Sequence, residues 1–66
     1  MPKKVRDVID ALEADGWVLV RQRGSHRVYK HPGHRRIVTV AGRPSDNVRA
    51  STLASIRRDS GLEDLR

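Results

Sequence analysis

The sequence contains no cysteine and no phenylalanine, and only one tryptophan and one tyrosine. Without cysteine, neither a disulfide nor a thiolate metal site can add to the stability of the fold. At 66 residues, the chain is shorter than a typical domain, and a domain this small buries only about 60% of the surface its unfolded form exposes. It reads as one domain, 1–66, with a thin core yielding about 3 to 5 kcal/mol. Long apolar runs are missing as well. Beyond Met1 to Arg6 the apolar residues are interrupted by Asp7 and Asp10, so there is no signal-peptide core and nothing long enough to span a membrane. The expectation is a cytoplasmic protein without a membrane partner, and the lack of cysteine fits a reducing compartment.

Acids are scarce relative to bases: eight against fourteen, for a formal charge of +6. Eleven of the fourteen bases are arginine, whose planar fork donates paired hydrogen bonds to phosphate oxygens, so a nucleic-acid backbone is the expected partner. A merely solvated basic surface is the competing explanation. No glycine-rich loop of the form GxxxxGK[ST] occurs, which excludes the usual nucleoside-triphosphate cradle. Ser25 beside His26 does not make a serine hydrolase, because strand neighbours point to opposite faces.

Val5, Val8, Ile9 and Leu12 recur at helical spacing, Lys3 with Asp7 and Arg6 with Asp10 form i to i+4 pairs, and Gly16 supplies a stop. A first helix over about residues 3 to 15 follows. Lys3 and Lys4 stand at its positive end, where they can help to hold a polyanion. From Trp17 the run Trp17, Val18, Leu19, Val20, Arg21, Gln22, Arg23 has β character. Gly24 and Ser25 suit the central positions of a type II′ turn, leading into a second strand from His26 to His31. Pro32 and Gly33 suit a type II turn, and a third strand follows over Arg36 to Ala41. Residues 42–50 form a polar loop. A second helix starts with Ser51 as N-cap, buries Leu53 and Ile56, carries Arg57 and Arg58 near its negative end, and stops at Gly61, with Leu62 packing back. The order α, β, β, β, α describes an α+β domain: a three-stranded antiparallel meander with two helices on one face and the other face open. No apolar contact patch is evident from the sequence.

A two-residue hairpin makes Arg23 and His26 cross-strand neighbours and sets Arg21 opposite Val28 on the same face. A neutral imidazole beside cations suits attack by an RNA 2′-hydroxyl on the adjacent phosphorus. His26 is thus a candidate general base, worth about 100- to 10,000-fold in rate, and the cations would stabilise the phosphorane. Because His26 shares a strand face with Val28, it lies either on the open face or at the rim of the covered one. The other candidate RNA contacts are Arg21, Arg23, Ser25, Arg27, Tyr29, Lys30 and His31. Trp17, directly after the helix stop, is a core candidate. Tyr29 is divided between core packing and RNA contact, and His31 between solvation and protonation of the leaving oxygen. A metal site built on His31 and His34 is disfavoured for want of cysteine and because the acids of the first helix belong to a solvated face; no cofactor is expected.

The run Gly16, Trp17 through Arg21, Gln22, Arg23, Gly24, Ser25, His26, Arg27, Val28, Tyr29, Lys30, His31, Pro32, with Thr52, Leu53, Ala54, Ser55, Ile56 and Gly61, Leu62, resembles the HicA family of bacterial toxins. The similarity covers nearly the whole chain. It implies a fold like that of double-stranded-RNA-binding domains and a metal-independent endoribonuclease that cleaves mRNA and halts translation until a HicB-like antitoxin masks it. The family's catalytic histidine falls on His26. Many members carry a proline and then a histidine just after the third strand, whereas this chain reads Val40, Ala41, Gly42, Arg43. The role of that second histidine is therefore vacant or passes to His31, Arg43 or water. A non-catalytic RNA-binding module and a domain that only docks on an acidic protein are the alternatives.

Overall fold

A computed structural model describes residues 3–63 and residue 65. The elements run α1 (Val5–Ala14), β1 (Val18–Arg23), β2 (His26–Lys30), β3 (Val38–Val40) and α2 (Ala50–Ser60). The three strands form one antiparallel sheet in the order β1-β2-β3. This is the expected α-β-β-β-α arrangement of an α+β domain.

Helix α1 buries Val5, Val8 and Leu12 on one stripe. Its N-terminal donors are satisfied from two sides. The Asp7 carboxylate accepts from the Lys4 backbone N–H at 3.1 Å, and the carbonyls of Asp46 and Pro44 accept from the N–H groups of Val5 and Arg6 at 2.9 and 3.1 Å. The loop after β3 thereby closes over the start of α1. At the other end Gly16, with φ +97°, allows a Schellman turn: the Trp17 N–H donates to the Leu12 carbonyl at 3.0 Å and the Gly16 N–H to that of Glu13 at 3.1 Å. The turn drops Trp17, 2% exposed, onto the core beside Leu12.

Helix α2 starts two residues earlier than expected. Arg49 is its N-cap, with extended backbone and no side-chain cap, and Ser51 lies inside the first turn. Leu53 and Ile56 are buried as expected, Gly61 ends the helix at φ +74°, and half-buried Leu62 packs on the core. Beyond it Leu65 is also buried, its carbonyl held by the Arg57 guanidinium at 2.9 Å.

The strands are shorter than the sequence implies, and β3 is reduced to three residues. The reversal at Pro32 and Gly33 is present, with the His34 N–H donating to the His31 carbonyl at 3.1 Å. Gly33 is not left-handed, so this is not the expected type II turn; its N–H instead donates to His31 Nδ1 at 2.8 Å. The inner face of the sheet is marked by Tyr29, Val38 and Val40, all buried with the helix residues in one core. Helix α2 packs against β3. Every residue of β1 is exposed, so the helices cover only part of the inner face and the first strand stands outside them.

Candidate nucleic-acid interface

The β1–β2 hairpin is built by its turn. Gly24 has φ +59° and, among the described residues, no non-glycine residue has positive φ, which matches a type II′ turn with Gly24 at its first central position. The Gln22 side-chain amide braces it by donating to the Gly24 carbonyl at 3.1 Å. The register then places Arg23 opposite His26 and Arg21 opposite Val28.

Strand parity resolves which face carries His26. Tyr29 pairs with Val38 and Arg27 with Val40, and both valines are buried, while Val28 pairs with exposed Thr39. Alternation therefore puts Arg27 and Tyr29 inward and His26, Val28 and Lys30 on the open face. His26 is exposed and makes no side-chain hydrogen bond among the described residues. Arg21, Arg23 and Lys30 are exposed too and pair with no acid among the described residues. Lys30 lies about 13 Å along the strand from His26 at 3.3 Å per residue, so Arg21 and Arg23 are the cations of the hairpin end. Ser25, in the turn, is half-buried.

The charge distribution sharpens this end further. From Gly16 to Ser45 the chain has seven lysine or arginine residues and no acid, whereas all eight acids lie in the flanking segments that hold the helices. The whole positive excess thus belongs to the sheet and its loops. Two depressions, of about 370 and 240 Å³, lie beside the end of α2 and beneath the loop after β3, away from the hairpin. An exposed cationic surface suits a polyanionic chain better than a small enclosed ligand.

Three of the expected contacts are placed elsewhere. Tyr29 is 1% exposed in the core, so its ring is not available to stack on a base. Burial raises its phenol pKa above 10.0, with a further push from Glu13 that Arg27 opposes. Arg27 also points inward, and its guanidinium donates to the Gly42 carbonyl at 3.1 Å, tying β2 to the loop after β3. His31 shares their parity. Its Nδ1 accepts from the Gly33 N–H at 2.8 Å, so Nε2 carries the proton and donates to the Asp15 carbonyl at 2.9 Å. The ring packs against Trp17 and His34, with centroids 5.3 and 4.8 Å away. With both nitrogens engaged on the side opposite His26, His31 is a tie between α1 and β2 and not a proton donor for the hairpin. The start of α1 is likewise closed to phosphate, because its first N–H groups already have protein acceptors and Lys4 bridges to Asn47.

Asp15, His31 and His34 bring one potential metal-ligand atom each within 4.8 Å of one another. A tetrahedral site with bonds of about 2.0–2.1 Å needs separations of about 3.3 Å, and the His31 lone pair is taken by Gly33. A metal there would have to draw the three groups together and displace the Gly33 hydrogen bond.

What the sequence did not disclose is an apolar patch. Val18, Leu19, Val20 and Ile37 are 58, 42, 51 and 48% exposed, against the expectation that no such patch exists. Their β propensity reads as core; the position of β1 beyond the helices exposes the first three, and Ile37 lies in the loop just before β3. The register shift between Leu19 and Arg21 was also hidden, since a bulge leaves no mark in an apolar run.

Fold and surface together define a small α+β domain that covers part of the inner side of its sheet with helices and presents a cationic hairpin end on the outer side. The chain belongs to the HicA toxins of bacterial toxin–antitoxin systems, whose family model matches residues 5–62. No curated protein gives a significant match to it. Among the described residues no helix is long and apolar enough to cross a membrane.

Proposed function

We propose that this toxin is a metal-independent endoribonuclease acting on mRNA, with His26 as general base and Arg21 and Arg23 holding the scissile phosphate. The observation that carries this is the position of His26: unpartnered, on the open face, directly across from Arg23, in the acid-free part of the chain. His26 takes the proton of the 2′-hydroxyl, the freed oxygen attacks phosphorus, and the two guanidiniums stabilise the added negative charge of the phosphorane. The P–O5′ bond then breaks, and water protonates the departing oxygen, since His31 is committed elsewhere. The products carry a 2′,3′-cyclic phosphate and a 5′-hydroxyl. A HicB-type antitoxin is the partner that restrains the activity.

The bare imidazole also favours a second reading, a non-catalytic RNA-binding module, because no neighbouring group orients its ring. Incubating mRNA with wild-type and His26→Ala protein in excess chelator separates the two. Cleavage by the wild type alone, reduced at least about 100-fold in the variant with unchanged thermal unfolding, supports the enzyme. Equal cleavage by both refutes the base assignment, and retention of RNA without cleavage supports the module.

A further inference from the structure

We propose that the outer edge of β1 is a docking site for an acidic, extended segment of a partner protein, which adds to the sheet as a fourth strand. β1 is an edge strand, hydrogen-bonded to β2 on one side only. All six of its residues are exposed. Soluble proteins normally blunt such an edge with charges or cover it, because its free N–H and C=O groups are a template for another strand. Here the first half of the edge carries instead three consecutive apolar residues, Val18, Leu19 and Val20, each more than two-fifths exposed.

The open face extends the same surface inward. Val18 pairs with Lys30, and Ile37, one residue before the Tyr29–Val38 pair, falls in the same row by alternation. One end of the open face therefore carries Val18 and Ile37 on either side of Lys30, and the other, at the hairpin, carries Arg21 and Arg23. Strand addition satisfies both: main-chain bonds along the edge supply affinity, and alternate side chains choose the sequence. Apolar side chains would meet Val18 and Val20, and acids would meet Arg21 and Arg23.

Charge selects the occupant. A second copy of this chain would bring another β1 with its own Arg21 and Arg23 and no acid, on a molecule of formal charge +6. RNA has no peptide ladder to pair with the edge and nothing to cover the valines. An acidic protein strand supplies both. If His26 acts as proposed above, such a strand also neutralises the cations beside it, so docking at the edge silences the hairpin end without having to occlude the imidazole. The docking itself does not depend on that activity.

The test uses the whole protein and an acetylated, amidated peptide, Glu-Thr-Glu-Thr-Val-Thr-Val, whose alternate residues put acids at one end and valines at the other end of a single face, followed by NMR titration and amide hydrogen exchange without RNA. The expected result is saturable binding that slows exchange in residues 18–23 and leaves β3 unaffected. Val20→Lys, at an exposed position, should weaken binding about tenfold, the scale set by burying one valine side chain, although it makes the protein more positive. Binding as tight or tighter in Val20→Lys means bulk charge attraction and overturns the proposal. So does an absence of β1 protection in the unmutated protein, or protection of that edge by a single-stranded RNA oligonucleotide in place of the peptide. Because no outcome requires cleavage, a failed ribonuclease assay and a failed docking test remain distinct results.

Discussion

Replacing His31 with alanine should remove more than half of the domain's stability while leaving the chemistry of each folded molecule intact. The imidazole makes two hydrogen bonds, to the Asp15 carbonyl and from the Gly33 N–H, each worth about 1 kcal/mol net. Its contact with the Trp17 ring adds about 0.5 to 1.5 kcal/mol. The loss is therefore about 3 kcal/mol, set against a total of about 3 to 5 kcal/mol for a domain of this size. What is left, about 0 to 2 kcal/mol, corresponds to between about half and nearly all molecules folded at 25 °C. Urea unfolding followed by Trp17 fluorescence measures that fraction directly. His31→Asn should recover about 1 kcal/mol, because an asparagine side-chain carbonyl can accept the N–H two residues on, as the imidazole does for Gly33. RNA cleavage by His31→Ala, divided by the folded fraction, should match the wild type. Wild-type stability in His31→Ala would refute the structural role. A hundredfold loss of activity per folded molecule would return His31 to the chemistry.

Arg27 and Arg23 should behave as opposites although they lie four residues apart. Arg27→Ala should cost about 1 kcal/mol of stability through the lost Gly42 bond and leave the salt dependence of RNA binding unchanged. Arg23→Ala should leave thermal unfolding unchanged and lower the slope of log K against log salt by about 0.7, the value for one contact to a single strand. Tyr29, whose phenol pKa is raised by burial, should make the fold sensitive to alkali. The folded state holds the proton more tightly than the unfolded chain, so the contribution is fully present below pH 10 and is lost as pH rises through the higher folded value. Tyr29→Phe should remove that alkaline dependence in urea titrations above pH 10; an identical dependence in the variant would refute the assignment.

The periodic and turn-forming residues made most of the fold legible. Valines and leucine at helical spacing gave α1, a glycine–serine pair at a fixed offset gave the hairpin, and that turn fixed the Arg23–His26 pairing because a two-residue loop admits one register. The face of His26 was undecidable, since Val28 is apolar and half-buried, and an apolar residue on a strand reads as core. Only burial of Val38 and Val40, which sit across from Tyr29 and Arg27, orients the sheet. The N-cap of α2 was misplaced for a related reason: serine is the better capping residue in isolation, yet the helix starts on Arg49. Tyr29 and His31 were read as ligand contacts because their polar atoms suit RNA, whereas their strand parity sends them inward.

That parity divides a single strand between two duties. Tyr29 and Arg27 on one side of β2 hold the core and the loop after β3, and His31, continuing the same alternation, holds the end of α1. His26, Val28 and Lys30 on the other side hold nothing among the described residues. The arrangement explains how a core this thin can keep an exposed histidine among cations: the ordered backbone beneath it is anchored from behind by every second residue. It also separates stability from surface chemistry along the sequence itself. Substitutions at 27, 29 and 31 should act on the amount of folded protein, and, on the function proposed above, those at 26, 21 and 23 should act on what the folded protein does. Inserting one residue between His26 and Arg27 should leave His26, Arg21 and Arg23 in place but turn Arg27, Tyr29 and His31 to the open face and Val28 and Lys30 inward, since a one-residue slip turns every following side chain to the other face; the expected result is loss of the folded protein in urea unfolding.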